Sequence, residues 1–262
     1  MTETPDITVI MGIYNAESTL EEALDSLLSQ TYKKFKVILC DDCSVDDTYE
    51  LARSYVDKFS EWLLIKNEQN KGLSYTLNKC LQQVDTEYVA RMDADDVSLP
   101  TRFEKQVTFL KANPEIAIVS SPMVYFDEGG DFKTGKAKEY PMPMDFVAGS
   151  PFAHAPCMVR RKAYERVNGY SENFRRGQDY HLWFKMYEAG FRGYNFKEPL
   201  YKMRDDTNAM NRRKFKYRID EMRMKQIGYR MLSLPFYYQV FAFKPILVGL
   251  LPKWMYKFLH KL

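Results

Sequence analysis

Apolar runs and amphipathic stretches alternate along the N-terminal part of the chain. Ile7-Thr8-Val9-Ile10-Met11 is a nearly continuous apolar run, the pattern of a strand buried on both faces. Gly12-Ile13-Tyr14-Asn15 follows as a turn. Leu20, Ala23, Leu24, Leu27 and Leu28 then recur at helical spacing, and Ser18 with Glu21 three residues on reads as a capping box. Lys36 to Cys40 predicts a second strand that ends on Asp41-Asp42. Asp46 or Asp47 is placed to cap a helix carrying Ala52, Tyr55, Val56 and Phe59. Trp62 to Ile65 predicts a third strand, Leu73, Leu77, Leu81 and Val84 a third helix, and Glu87 to Met92 a fourth strand.

This repeated β-α order with short connections predicts a mostly parallel sheet with helices on both faces. Beyond Pro100 a helix runs to about Asn113 with Phe103, Val107 and Leu110 inward. Ile116 to Ser121 predicts a strand, Asp127 to Gly135 a loop or hairpin, and Cys157 to Val159 a short strand. A helix opens at Arg161 and stops near Gly169. Gly177-Gln178-Asp179 precedes an amphipathic helix with Leu182, Trp183, Met186 and Tyr187. Phe191 to Met203 reads as strands near the sheet edge. There is no internal repeat and no low-complexity linker.

The strand ends carry the candidate chemistry. Asp93, Asp95 and Asp96 crowd together where the fourth strand stops. Like charges this close raise one another's proton affinity, and a hard divalent cation that also holds a diphosphate would relieve them. The alternative is a solvated acidic turn in which Asp96 or Ser98 caps the next helix. Tyr14, Asp41-Asp42 and this cluster all fall at strand carboxyl ends, where parallel sheets bind ligands, and that favours the cation.

Charge changes the picture at the far end. The chain has 38 Lys and Arg against 35 Asp and Glu. From residue 211 on there are 12 basic and two acidic residues, +10, which leaves −7 for the preceding part. The two apolar stretches from Phe236 to Phe243 and from Ile246 to Leu251 are separated by Lys244-Pro245 and followed by Lys253, Trp254, Tyr256, Lys257 and Phe258. A charge and a proline in the middle argue against spanning. A helical tail lying in the interface of an anionic membrane fits; so does a helical pair packed on the domain. An acidic body without a base-reading motif argues against nucleic acid. The four cysteines show no disulfide or zinc spacing, which predicts reduced thiols. The polar, acidic start of the chain is unlike a signal peptide.

Six ordered stretches together resemble an inverting glycosyltransferase of family 2, with the fold called GT-A. They are Val9 to Asn15, Ser29-Gln30-Thr31-Tyr32, Asp41 to Thr48, Asn70-Lys71-Gly72, Arg91 to Asp96 and Gly177-Gln178-Asp179. The resemblance covers about residues 6 to 205. It implies a nucleotide-sugar half over about 1–100, an acceptor half over about 101–210, and the basic, apolar tail over 211–262.

By that resemblance Tyr14 and Asn15 line the nucleotide pocket, and Asp41 or Asp42 accepts from the base or ribose. Lys71 and Gly72 border the base and diphosphate. Arg91 stands near the donor phosphates or positions the acidic cluster, and Asp93 faces ribose or sugar hydroxyls. Asp95 is the main contact to Mn²⁺ or Mg²⁺, with Asp96 helping to orient the sugar or a metal-bound water. Asp179 is similar to the catalytic base, the alternative being an N-cap. His154 and Gln178 fall on the acceptor or phosphate side, and as an isolated histidine His154 could equally be structural. Arg204 stands where many relatives carry a metal-binding histidine, and could meet phosphate directly.

The implied enzyme is non-processive, because a Gln-x-x-Arg-Trp stretch and several spans are missing. It moves a sugar from a nucleotide sugar, a UDP-sugar by preference, to a hydroxyl of a lipid-linked or polysaccharide acceptor. It works in the cytoplasm, peripherally at the inner face of the cell membrane. A non-catalytic nucleotide-sugar-binding scaffold is the alternative.

Overall fold

Two sheets of unequal size carry the chain. The computed structural model describes residues 4–174, 176–205 and 215–250. In chain order the elements are β1 (Ile7–Ile13), α1 (Leu20–Leu28), β2 (Phe35–Asp41), α2 (Thr48–Val56), β3 (Trp62–Lys66), α3 (Leu73–Leu81) and β4 (Tyr88–Arg91). Next come β5 (Val97–Ser98), α4 (Arg102–Ala112), β6 (Ile116–Ser120), β7 (Val124–Asp127), β8 (Gly130–Thr134), β9 (Met158–Arg160) and α5 (Arg161–Arg166). Then follow α6 (Gln178–Glu188), β10 (Arg192–Asn195), β11 (Tyr201–Arg204), α7 (Phe215–Met231) and α8 (Lys244–Leu250). Short 3-10 helices lie at Pro143–Val147 and Phe236–Phe243.

The main sheet has the order β10-β6-β9-β4-β1-β2-β3. All its pairings are parallel except those of β9, which runs antiparallel between β4 and β6. Alternation along β1 sends Ile7, Val9, Met11 and Ile13 into one core, under α1, α2 and α4. Ile10 faces the other core, with Leu77 of α3, Tyr164 of α5 and Trp183 of α6. Burial on both faces is why these strands read as apolar runs. The strand order reverses between β1 and β4, which opens a crevice at their carboxyl ends.

The mostly parallel α/β architecture agrees with the sequence. Three local expectations need correction. The capping box at Ser18 does not form: Thr19 takes the N-cap of α1, and its hydroxyl donates to the Ala94 and Ala16 carbonyls. A tertiary hydrogen bond to the acidic turn outweighs the local motif. Asp47 holds the N-cap position of α2 without a side-chain bond, and Asp46 instead accepts from the Thr48 N–H and hydroxyl. The segment Phe191 to Met203 divides: β10 edges the main sheet, whereas β11 lies inside the smaller sheet, order β5-β11-β7-β8.

The tail is packed over the part described. Met224 and Tyr229 of α7 are buried, and α7 lies along α6. A Cβ on Gly228 would fall 2.3 Å from the Phe184 ring, and one on Gly177 2.8 Å from the Met224 methyl. Two missing side chains therefore allow the close approach. The basic run Arg212-Arg213-Lys214 and the final Lys253 to Leu262 lie outside the described residues. No helix among the described residues is long and apolar enough to cross a membrane.

Candidate active site

The turns after β1 and β2 are stitched together. Asn15 adopts φ +47° and Cys43 φ +65°. Both lie in the left-handed region, which costs a residue with a side chain free energy unless neighbours hold it there. The Asn15 N–H donates to the Ser44 hydroxyl, and its amide oxygen accepts from the Val45 N–H, both at 3.0 Å. The Ala16 N–H donates to the Thr48 hydroxyl at 2.7 Å. Tyr14, next to this seam, is exposed.

Asp41 and Asp42 are both buried, and both organise backbone. Asp41 accepts from the Ser44 N–H and hydroxyl. Asp42 accepts from the Lys71 N–H and the Gly72 N–H, each at 2.8 Å, and from the Asn67 amide. Gly72 has φ +87°, a conformation open to glycine, and starts α3. Asp42 thus clamps the turn that carries Lys71, which borders a small cleft of about 140 Å³ together with Tyr75 and Phe174.

The acidic turn is not a capping turn, since Thr101 takes the N-cap of α4. Asp93, Asp95 and Asp96 each offer an oxygen within 4.8 Å of the others. Arg91 is buried and grips Asp93 through both terminal guanidinium nitrogens. Burial opposes the charge on Arg91, but Asp93 more than offsets that and keeps it protonated. Asp96 is buried and accepts from the Arg204 N–H at 2.9 Å. Burial first, then Asp93 and Asp95, push its carboxyl up to about 8. Asp95 is the exposed member, and the protein packed behind it, together with Asp93, raises its carboxyl as well. One guanidinium does not balance three carboxylates. A hard dication with oxygen preference fits this donor set, and its charge would reverse those upward shifts.

Arg204 turns elsewhere. Its guanidinium pairs with Glu22, donates to the Asp95 carbonyl and lies over the Phe126 ring. It is a brace for the acidic turn, holding Asp96 from the backbone and Asp95 from the side chain.

Asp179 comes from α6, far away in sequence. Gly177 takes the N-cap with φ +71°, so Asp179 is the second residue of the helix and not its cap. Burial raises its carboxyl, Arg91 pulls it down, and Asp93 raises it again. Its charge therefore feels the acidic turn directly. It also lines a cleft of about 370 Å³ closed on one side by α7. Gln178 opens α6, half-buried. His154 bonds through Nε2 to the Tyr170 hydroxyl at 2.8 Å. Burial first, and then Arg91, push it well below its ordinary value, so it is neutral.

Two organising residues escape sequence inspection. Arg102 of α4 is fully buried and donates to the carbonyls of Arg91, Ala155 and Cys157. Tyr201 of β11 is buried and accepts from the Asp93 N–H at 3.1 Å. Arg102 carries one signal: a charged residue at a helix position that faces inward, four before Gln106, which donates to the Pro156 carbonyl at 2.7 Å.

Comparison with known proteins gives the family and the fold. A family model described as glycosyl transferase family 2 matches residues 8–168. The putative glycosyltransferase EpsE of Bacillus subtilis is 40% identical over 264 residues, covering 100% of this chain and 95% of EpsE. An Escherichia coli protein is 33% identical over 238 residues, covering 87% of this chain and 85% of its own. It is named UDP-Gal:alpha-D-GlcNAc-diphosphoundecaprenol beta-1,3-galactosyltransferase. TarS of S. aureus, solved with UDP-GlcNAc, superposes with a TM-score of 0.74 at 19% identity, over 89% of this chain and 69% of that one. The mannosyltransferase PcManGT of Pyrobaculum calidifontis, solved with GDP-Man and Mn²⁺, gives 0.64 at 22% identity, over 92% and 69%. At these identities the structural likeness speaks for the fold alone.

Proposed function

Because the chain belongs to glycosyl transferase family 2, we propose that it is a metal-dependent, inverting, non-processive enzyme that uses a UDP-sugar. The coarser activity comes with the family: it is a glycosyltransferase of GT-A fold, moving a sugar from a nucleotide sugar. The observation that carries the finer reading is the convergence of Asp93, Asp95 and Asp96 at the β1–β4 crevice, with Asp179 brought in from α6. Uridine is favoured because the E. coli relative is named for UDP-Gal. A lipid-linked acceptor is favoured by the diphosphoundecaprenol in that same relative's name.

Asp95, with Asp96 and Asp93 beside it, would hold Mn²⁺ or Mg²⁺, which when bound offsets charge on the donor diphosphate. Tyr14, Asn15, Asp41, Asp42, Lys71 and Gly72 border the nucleoside, with Asp42 fixing the Lys71 turn. Arg91 orients Asp93 toward the sugar or ribose hydroxyls. The acceptor oxygen forms its bond to the anomeric carbon as the bond from that carbon to the diphosphate oxygen breaks. The electron pair leaves on the nucleoside diphosphate, and the hydroxyl proton passes to Asp179. A carboxyl raised by burial suits a group that takes a proton.

The segment after α7 supports work at a membrane surface. Phe236, Tyr237, Val240, Phe241 and Leu247 are exposed, Phe236 by 85%. Together with the basic residues around them, these suit the interface of an anionic bilayer at the cytoplasmic face, while residues 1–210 hold the donor and acceptor halves.

Calorimetric titration with UDP tests the reading, with and without Mn²⁺, on wild type and Asp95→Ala. The expected result is Mn²⁺-dependent binding that Asp95→Ala loses. Binding of GDP in place of UDP would overturn the uridine assignment. UDP binding indifferent to both metal and Asp95 would remove the diphosphate from the acidic turn.

A further inference from the structure

The cleft that Asp179 lines is built jointly by the start of α6 and by one face of α7. Tyr217, Glu221, Met224 and Lys225 lie at helical spacing along that face. Arg218 borders the same cleft, as does Arg176 from the segment before α6. The Arg176 guanidinium lies 4.5 Å over the Tyr217 ring. Lys225 is only 7% exposed, and its ammonium pairs with Glu221 at 2.9 Å. Three cations against Asp179 and Glu221 leave the lining net positive, in a chain whose first 210 residues are net negative.

The position of this wall is not incidental. Gly177 and Gly228 have no side chain at the two places where Met224 and Phe184 come closest. The helix is thereby seated against Asp179. The donor diphosphate, by the reading above, is met at the acidic turn, so the surplus positive charge of this cleft faces a different anion. Arg218 also donates to the Pro245 carbonyl at 3.1 Å, and the Gln239 amide to the Gln226 carbonyl at 3.5 Å. The cleft is therefore tied to the segment whose aromatic face is exposed.

We propose that this cleft is the acceptor subsite, and that Arg176, Arg218 and Lys225 bind the phosphate through which the acceptor sugar is joined to its lipid. This rests on the lipid-linked acceptor reading above. Tyr217 offers an aromatic ring to the acceptor sugar, whose hydroxyl is thereby brought to Asp179. A charged bridge of this kind gives specificity for phosphate-linked over neutral glycolipids.

The test compares two probes by calorimetry in the same detergent. One is N-acetylglucosamine joined through a diphosphate to an undecyl chain; the other is the neutral undecyl N-acetylglucosaminide. Wild type should bind the diphosphate probe at least about tenfold more tightly, the scale of a hydrogen bond to a charged group. Arg218→Gln and Lys225→Gln should bring the two probes close to parity, and Arg218→Lys should keep most of the preference. Equal binding of the probes by wild type overturns the proposal without any variant. So does an undiminished preference in both Gln variants. UDP titrations of the same samples separate the two readings: loss of UDP binding in wild type sinks the donor assignment, while the probe comparison still judges the cleft.

Discussion

Arg91 holds Asp93 through both ends of its guanidinium, and it does so from inside the protein. The arginine is buried and Asp93 is one-third exposed, so removing the carboxylate strands a charge that cannot reach water. Asp93→Ala should lower stability by about 3 kcal/mol, the low end for a buried pair because Asp93 is partly screened. The double substitution Asp93→Ala, Arg91→Met should recover part of this loss, because no buried charge is left. Urea denaturation of the three variants and wild type measures the cycle. A loss in the double variant equal to the sum of the two single losses would show that the pair is not coupled.

Asp96 sets a pH dependence of unusual sign. Its carboxyl is pushed up to about 8 in the folded, metal-free protein, from an ordinary 3.8. The folded state therefore holds a proton that the unfolded chain has released. Its contribution to stability is fully present below the ordinary value and is lost as pH rises toward 8. Metal-free wild type should lose stability relative to Asp96→Asn between pH 5 and 8, and saturating Mn²⁺ should remove the slope. By the same linkage Mn²⁺ binds more tightly as pH rises over this range. Denaturation at both pH values, with Mn²⁺ or with chelator, reads the effect; parallel curves for the two proteins would contradict it.

Asp179 can be tested apart from the donor site. Asp179→Asn keeps size and hydrogen bonding but cannot take a proton. We expect kcat to fall by ~10²–10⁴-fold, the range for loss of a general base, with UDP affinity retained. Burial raises the Asp179 carboxyl, so the acid limb of kcat/KM should lie above the ordinary carboxyl value of 3.8. A kcat within threefold of wild type would remove Asp179 from the chemistry.

What the sequence revealed depended on how local the cause was. β1 to β4 and α1 to α4 were legible because burial on both sheet faces and helical periodicity are written in neighbouring residues. The convergence of three carboxylates at Asp93–Asp96 was legible for the same reason. The smaller sheet was not, because β5 is two residues long and β11 pairs with strands distant in sequence. Ser18 and Glu21 satisfied a local rule, and a bond from Thr19 to Ala94 displaced it. Arg204 had the right place for a metal or phosphate contact, yet Glu22 and Phe126 take its guanidinium. The seating of α7 was hidden because its key contacts are glycines, which hydropathy patterns do not score.

Gly228 turns that last point into a measurement with an opposed sign. Replacing a glycine inside a helix by alanine ordinarily stabilises by about 1 kcal/mol, through helix propensity. Here the added Cβ would lie 2.3 Å from two carbons of the Phe184 ring. That ring cannot yield easily, because Phe146, Tyr180 and Tyr229 pack around it. Overpacking costs about 1–3 kcal/mol, which outweighs the propensity gain. Gly228→Ala should therefore destabilise, and Gly228→Ala with Phe184→Leu should lose less than the sum of the singles. UDP binding should survive in folded Gly228→Ala, since Asp93, Asp95 and Asp96 do not line the cleft that α7 walls. Urea midpoints and a UDP titration decide both points. A stabilised Gly228→Ala would mean that α7 does not rest on Phe184, and the cleft beside Asp179 would lose its wall.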